Sequence, residues 1–348
     1  MTKLLGKSLL LFLLTAVPFA LYIRENPNLF TVGSEGMLRA QKEWLEGYRN
    51  EERIDFVAIG DSTVAAAIQP GLQRFRCLAT PAATSIESYF QLKRFLDRGA
   101  KPFSITFGTY NHRDRYRSLF WELYVHLGFY ESSDLDRIAA DAREVNDWPM
   151  LDGARGTRAA LEFAWRRHAF SVGFFPYFVN ELQAQVWRWR NRRWTNTLIY
   201  RQVINRQGLL VLPDREDRAP GEPVNNLGVA MGLGRGELFG EDASLPSPLL
   251  DLYTRKCFEL AEDNGIFLFV TLPPVYAPAL NGDARRRRTA YVEHMRRLTR
   301  DFKMVRFLEI PFDETDAGLF WDTLHLSKQG AKRYSAALLE VTTQTLGR

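Results

Sequence analysis

The stretch "FVAIGDSTVAAA", Phe56 to Ala67, decides the fold of this chain. It begins as an apolar run typical of a buried strand, reaches Gly60, Asp61 and Ser62, and continues in helix-forming residues. A strand that passes directly into a helix is the first half of a βαβ unit. Gly, Asp and Ser favour turns and helix caps. The tripeptide is therefore explained either by turn and cap formation alone or by the presentation of a serine at the carboxyl end of a strand, where open α/β sheets bind ligands.

Similar apolar runs recur along the chain with helical patterns between them. Strands are predicted at 54–60, 75–80, 103–109, 265–272 and 304–310. Helices are predicted at 84–98, 250–264, 284–300 and 327–346. This alternation predicts an α/β fold whose parallel sheet is covered by helices on both faces.

One long segment, about 113–249, interrupts the alternation and has a different composition. It holds six of the eight tryptophans and eighteen arginines, balanced by eighteen acidic residues, so its charges are mixed. We expect a mainly helical insertion. Within it, residues 185–202 interleave three tryptophans with five arginines, which suits an interfacial helix, a glycan-binding surface or an ordinary packed helix.

The composition excludes several classes of protein. Of the 348 residues, 46% are hydrophobic and 25% charged, which is ordinary for a globular chain with a full core. A net charge of +5 is too diffuse to indicate nucleic-acid binding. Cys77 and Cys257 either pair or stay free, and the five histidines have no zinc spacing, so we predict neither a metal nor another cofactor.

The N-terminus predicts a membrane attachment. Lys3 and Lys7 precede about fifteen apolar residues, and no A-x-A cleavage site follows, so residues 1–24 are interpreted as an uncleaved signal anchor. A cleaved signal peptide and a buried core helix are the alternatives. The basic flank predicts a single-pass protein of the inner membrane with its body outside the cytoplasm, in the periplasm. Residues 25–53 are predicted to be a polar, partly helical connector.

Three residues at the two ends of the α/β region suggest nucleophilic chemistry. Ser62 follows the first strand, and Asp322 stands three residues before His325, just ahead of the last helix. A serine needs a base to remove its proton, and an imidazole works best when a carboxylate fixes its tautomer. Each part alone is better explained by a helix cap or a surface loop; the order and the positions of the three together are more specific.

These blocks resemble the SGNH (GDSL-type) hydrolase superfamily. Gly60-Asp61-Ser62 matches the first block of that family, and Asp322-Thr323-Leu324-His325 matches the last. The resemblance implies a flavodoxin-like three-layer α/β/α SGNH fold over residues 54–348, interrupted by the insertion. It also implies Ser62 as nucleophile, His325 as base and Asp322 as the residue that orients the base.

The middle blocks of the family are altered here. In the family, a glycine after the second strand supplies an oxyanion-hole N–H, and here Ala82 stands in that place. That donor is retained if φ stays negative. The next block, "GTYNHRD", carries one extra residue before Asn111, which is the third oxyanion candidate beside Ser62 and Ala82. His112 is an alternative to Asn111, and Asn111 as a mere turn cap is another.

The architecture looks like the membrane-anchored group that includes alginate acetylation and teichoic acid D-alanylation proteins. That resemblance implies a serine O-acyltransferase or esterase that adds or removes acyl groups, in the first instance acetyl, on a cell-surface polysaccharide or other glycan. The expected partners are an acyl donor, a glycan or cell-wall polymer acceptor and a membrane-bound O-acyltransferase (MBOAT protein). The alternative is a non-catalytic or weakly catalytic scaffold that binds polymer beside such an acyltransferase.

Overall fold

A computed structural model describes residues 6–7, 14–15, 18, 33–49, 53–109, 120–151, 154–172, 207–210 and 247–347. Within these residues, five strands form one parallel sheet in the order β2-β1-β3-β4-β5. The strands are β1 (Phe56–Gly60), β2 (Phe75–Cys77), β3 (Ser104–Gly108), β4 (Phe267–Val270) and β5 (Val305–Phe307). The predicted α/β class with a parallel sheet is therefore confirmed, and the order reverses between β1 and β3, as in doubly wound folds.

The helices surround this sheet. In the described ranges the α-helices are α1 (Gly33–Gly47), α2 (Ser62–Ala67), α3 (Ser85–Asp97), α4 (Ser132–Glu144), α5 (Gly156–Val172), α6 (Pro248–Asp263), α7 (Gly282–Leu298) and α8 (Lys328–Thr345). A π-helix spans Phe120–Val125, and 3-10 turns span Ala277–Ala279, Thr299–Asp301 and Ala317–Leu319. The four helices predicted from periodicity are present as α3, α6, α7 and α8.

Both faces of the sheet are buried. Val57 and Ile59 point into a core shared with α3 and α6, whereas Ala58, between them, points into a second core shared with α2 and α8. This alternation is what a strand with two covered faces requires, and it is compatible with three layers. Cys257 belongs to the first core and Cys77 to the second, and both thiols are free.

Most of the described part of the insertion is helical and packs on the sheet domain. Trp121 and Phe163, from the π-helix and α5, are buried in the same core as α3 and α6. Residues 207–210 lie along the outer edge of β2, where the Gln207 carbonyl accepts a hydrogen bond from the Cys77 N–H at 2.9 Å. A returning segment of the insertion thus covers part of an edge that would otherwise be open. The Trp/Arg stretch at 185–202 lies outside the described residues.

The structure describes only part of the N-terminal region, so only some of its predictions can be compared with it. Helix α1 lies in the predicted connector and buries Met37, Leu38 and Leu45, so this segment packs against the α/β domain. Most of the predicted anchor, 1–24, lies outside the described residues. Among those that are described, no helix combines the length and apolar character needed to cross a bilayer.

Replacing Gly60 by alanine is expected to destabilise the fold severely. Gly60 has a φ of +140°, and a Cβ there would stand 1.7 Å from the Gly108 carbonyl oxygen. Strain and overpacking together should remove about 3 kcal/mol or more of the free energy of unfolding, measured by urea denaturation. Gly71→Ala is the matched control, since Gly71 has a φ of +67° but open space around its Cβ position. Equal losses in the two variants would contradict this reading.

Candidate active site

Ser62 lies at the carboxyl edge of the sheet, directly after β1. The Asp61 side chain accepts a hydrogen bond from the Thr63 N–H at 2.9 Å and so caps α2, of which Ser62 is the first residue. Asp61 is buried, whereas Ser62 is half-buried. Asp61 is therefore a helix cap, and the cap leaves the Ser62 hydroxyl available for another contact.

His325 and Asp322 lie on a closed loop before α8. The His325 carbonyl accepts the Trp321 N–H at 2.8 Å, which folds the loop back on itself. Ser327 then caps α8 by accepting the Gly330 N–H and donates its own hydroxyl to the Gly318 carbonyl. A backbone hydrogen bond and the two bonds of the Ser327 hydroxyl thus fix the loop.

Ser62, His325 and Asp322 form one continuous chain of hydrogen bonds. The Ser62 Oγ is 2.9 Å from His325 Nε2, and His325 Nδ1 is 2.9 Å from Asp322 Oδ2. Asp322 Oδ1 also accepts the backbone N–H groups of Leu324 and His325, at 2.7 and 2.8 Å. The carboxylate is thereby held in one orientation, and the proximity that the sequence hypothesis required is present.

The electrostatics of the pair favour a charged imidazole beside a charged carboxylate. Burial by itself would lower the pKa of His325, but the charge and hydrogen bond of Asp322, with a smaller contribution from Asp61, raise it above its ordinary value. Burial would raise the pKa of Asp322, yet His325 and two backbone N–H donors lower it. In its neutral form such an imidazole is a stronger base than an ordinary one, and its Nε2 faces the Ser62 hydroxyl.

The oxyanion candidates are only partly described. Asn111 and His112 lie outside the described residues. Ala82 is half-buried in a turn closed by a hydrogen bond from the Ala83 N–H to the Thr80 carbonyl at 3.3 Å. Its φ is +52°, so the condition under which an alanine was expected to be tolerated here, a negative φ, is not met. The turn demands the left-handed conformation that glycine adopts most easily, and alanine nevertheless occupies it.

A tyrosine that the sequence did not single out contacts this turn. Tyr124, in the π-helix of the insertion, is fully buried, and its hydroxyl lies 2.6 Å from the Pro81 carbonyl oxygen. It sits in the run "FWELYV", whose apolar character indicates only a buried segment. No local motif could have connected it with a turn more than forty residues earlier.

A separate cavity of about 830 Å³ opens beside the loops after β4 and β5. Ser62, Asp322 and His325 do not line it. Its wall includes Arg285 and Arg288, part of the arginine run that opens α7. Arg285 is exposed, whereas Arg288 is half-buried and paired with Glu314.

Comparison with protein-family models found no match to this chain, and comparison with curated proteins found none of significance. The assignment of roles to these residues therefore depends on the geometry of the site and on the sequence resemblance described above.

The Asp322–His325 pair predicts a measurable titration. By NMR of the imidazole nitrogens, we expect the pKa of His325 to lie above the ordinary value of about 6.5, and to fall below it in Asp322→Asn because burial is then opposed only by the smaller effect of Asp61. A His325 pKa that is the same in both proteins would show that the carboxylate does not tune the ring.

Proposed function

We propose that this chain is an SGNH-like serine acyltransferase or esterase that forms an acyl-enzyme on Ser62. The observation that carries the proposal is the hydrogen-bond chain from the Ser62 hydroxyl through His325 to the buried Asp322 carboxylate. Ser62 lies just after β1, beside the point where the strand order reverses, and this position supports a ligand site at this edge of the sheet. The strand order also supports the flavodoxin-like three-layer architecture that the resemblance implies.

In the first half of the reaction, the Ser62 Oγ attacks the acyl carbonyl carbon while His325 Nε2 takes the hydroxyl proton. Asp322 stabilises the imidazolium that results, because its carboxylate already faces Nδ1. Backbone N–H groups at Ser62 and Ala82 are the proposed donors to the developing oxyanion, with Asn111 as a third. Collapse of the tetrahedral intermediate returns the proton to the leaving oxygen and leaves an ester on Ser62.

In the second half, a hydroxyl group resolves the acyl-enzyme. His325, neutral again, takes a proton from the incoming O–H, and the new oxygen attacks the ester carbon. The tetrahedral intermediate then collapses: its bond to the Ser62 Oγ breaks, and His325 returns the proton to that oxygen. Water as the acceptor makes the protein an esterase, and a sugar hydroxyl makes it an O-acyltransferase. The chemistry of the three residues is the same for both acceptors.

The sequence resemblance supports a cellular setting for this reaction. We propose that the N-terminal segment anchors the protein in the inner membrane, with the α/β domain on the extracytoplasmic side. There an MBOAT protein would supply the acyl group, in the first instance acetyl, and a cell-surface polysaccharide would accept or release it. A non-catalytic scaffold beside the acyltransferase is the competing function, and the following experiment distinguishes the two.

Ser62→Ala should abolish turnover of para-nitrophenyl acetate. With the full-length chain in detergent, we expect kcat to fall at least about a thousandfold and the acetyl adduct seen by intact-mass analysis to disappear. Ser88→Ala is the matched control, because the Ser88 hydroxyl is buried and bonded only to the Thr84 carbonyl among the described contacts. A folded wild-type protein with neither turnover nor adduct would favour the scaffold.

The pH dependence of that turnover should follow His325. Only the neutral ring accepts the Ser62 proton, so kcat/KM should decline as the pH falls through an apparent pKa above about 6.5. In Asp322→Asn we expect this midpoint to move to lower pH and the plateau to drop about 10³- to 10⁴-fold. A midpoint that Asp322→Asn leaves in place would mean that another group limits the rate.

A further inference from the structure

The turn that carries Ala82 has a conformation that its own sequence does not fully favour. The Thr80 carbonyl accepts the Ala83 N–H, Pro81 holds the second position, and Ala82 holds the third with a φ of +52°. This is the pattern of a type II turn, for which Pro suits the second position and Gly the third. Alanine in the third position is disfavoured by its Cβ, so something outside the turn must stabilise the arrangement.

The peptide at the centre of the turn has two orientations. It joins Pro81 to Ala82, and a type I turn differs from a type II turn mainly by a flip of this one peptide plane. In a trans peptide the carbonyl and the N–H point in opposite directions. A contact that fixes the Pro81 oxygen therefore also fixes the direction of the Ala82 N–H.

Tyr124 makes that contact. Its hydroxyl is 2.6 Å from the Pro81 oxygen and 3.1 Å from Thr80 Oγ1. A carbonyl oxygen can only accept, so the tyrosine proton goes to Pro81, and the Thr80 hydroxyl is left to donate in return. Burial, with the nearby charges of Glu87 and Asp61, raises the pKa of Tyr124 well above its ordinary value, which keeps the donor protonated.

Strand pairing places this peptide beside the nucleophile. The ladder between β1 and β2 continues past the strand ends, with the Thr80 N–H donating to the Gly60 carbonyl at 2.9 Å. Ser62 lies two residues beyond Gly60, and Ala82 lies two residues beyond Thr80. Both segments therefore leave the carboxyl edge of the sheet at the same point, and Ser62 and Ala82 lie the same number of residues beyond it.

We infer that Tyr124 is a positioning residue that holds the Pro81–Ala82 peptide so that the Ala82 N–H faces the oxyanion formed at Ser62. The hydroxyl of the insertion replaces the conformational preference that a glycine at position 82 would supply. The inference rests on the proposed acyl-transfer function and adds to it a residue outside the triad that governs transition-state stabilisation.

A double-variant cycle tests this role. In Tyr124→Phe we expect kcat for para-nitrophenyl acetate to fall about tenfold or more with KM nearly unchanged, because a misdirected oxyanion donor affects the transition state more than substrate binding. Ala82→Gly should suppress most of that loss in the double variant, since Pro-Gly is a favoured central pair of a type II turn. Tyr253→Phe, which removes another buried hydroxyl, is the control and should retain activity.

Three activity results would overturn the inference. They are an unchanged kcat in Tyr124→Phe, an equal loss in the double variant, and a similar loss in Tyr253→Phe. Near-ultraviolet circular dichroism and the urea midpoint of each variant show whether it is folded, so that a general loss of structure is not mistaken for a loss of positioning.

A readout independent of activity separates this inference from the proposed function. The full-length protein is labelled with ¹³C- and ¹⁵N-alanine. The signals of Ala82 are those that disappear in Ala82→Gly, and their Cα and Cβ shifts report the sign of φ. We expect them to move towards values for negative φ in Tyr124→Phe. If wild-type protein neither turns over nor forms an adduct, the proposed function fails, and unchanged Ala82 shifts would then overturn the positioning by Tyr124 as well.

Discussion

The close approach of two strand ends is the constraint on which the site depends. Gly60 and Gly108 end β1 and β3 as register partners, and a Cβ on either would collide with backbone, at 1.7 Å from the Gly108 oxygen or 2.6 Å from the Thr271 oxygen. Because neither residue has a side chain, β1, β3 and the start of the loop after β4 converge. Ser62 leaves the sheet from this point.

The far end of the chain reaches the same point through a second close approach. A Cβ on Gly330 would stand 1.9 Å from the Leu319 oxygen, so α8 packs directly against the backbone that precedes the Asp322–His325 loop. This contact and the caps around it let a histidine 263 residues after Ser62 meet the hydroxyl at 2.9 Å. Close backbone packing at glycine residues thus positions the side chains of the site.

Much of this could be predicted from the sequence because the signals are local. The apolar runs and helical periods gave the five strands and four of the helices, and strand–turn–helix chemistry at Gly60 to Ser62 pointed to the sheet edge. The φ of Ala82 could not be predicted, since alanine itself carries no signal for a left-handed conformation. Tyr124 could not be identified from the sequence either, because its contact joins two segments that are distant in the sequence.

The place where the insertion leaves the sheet explains how it can contribute to such a site. It follows β3, whose carboxyl end lies beside that of β1, and its first described helix brings Tyr124 to the turn after β2 at the same edge of the sheet. Trp121 and Tyr124 are buried in the sheet's own core, which makes this part of the insertion continuous with the domain. An alanine can then occupy the left-handed position of the turn after β2, because by our inference a hydroxyl from outside the turn holds its shape. The conformational requirement of the turn is met by a contact between two segments and not by one residue.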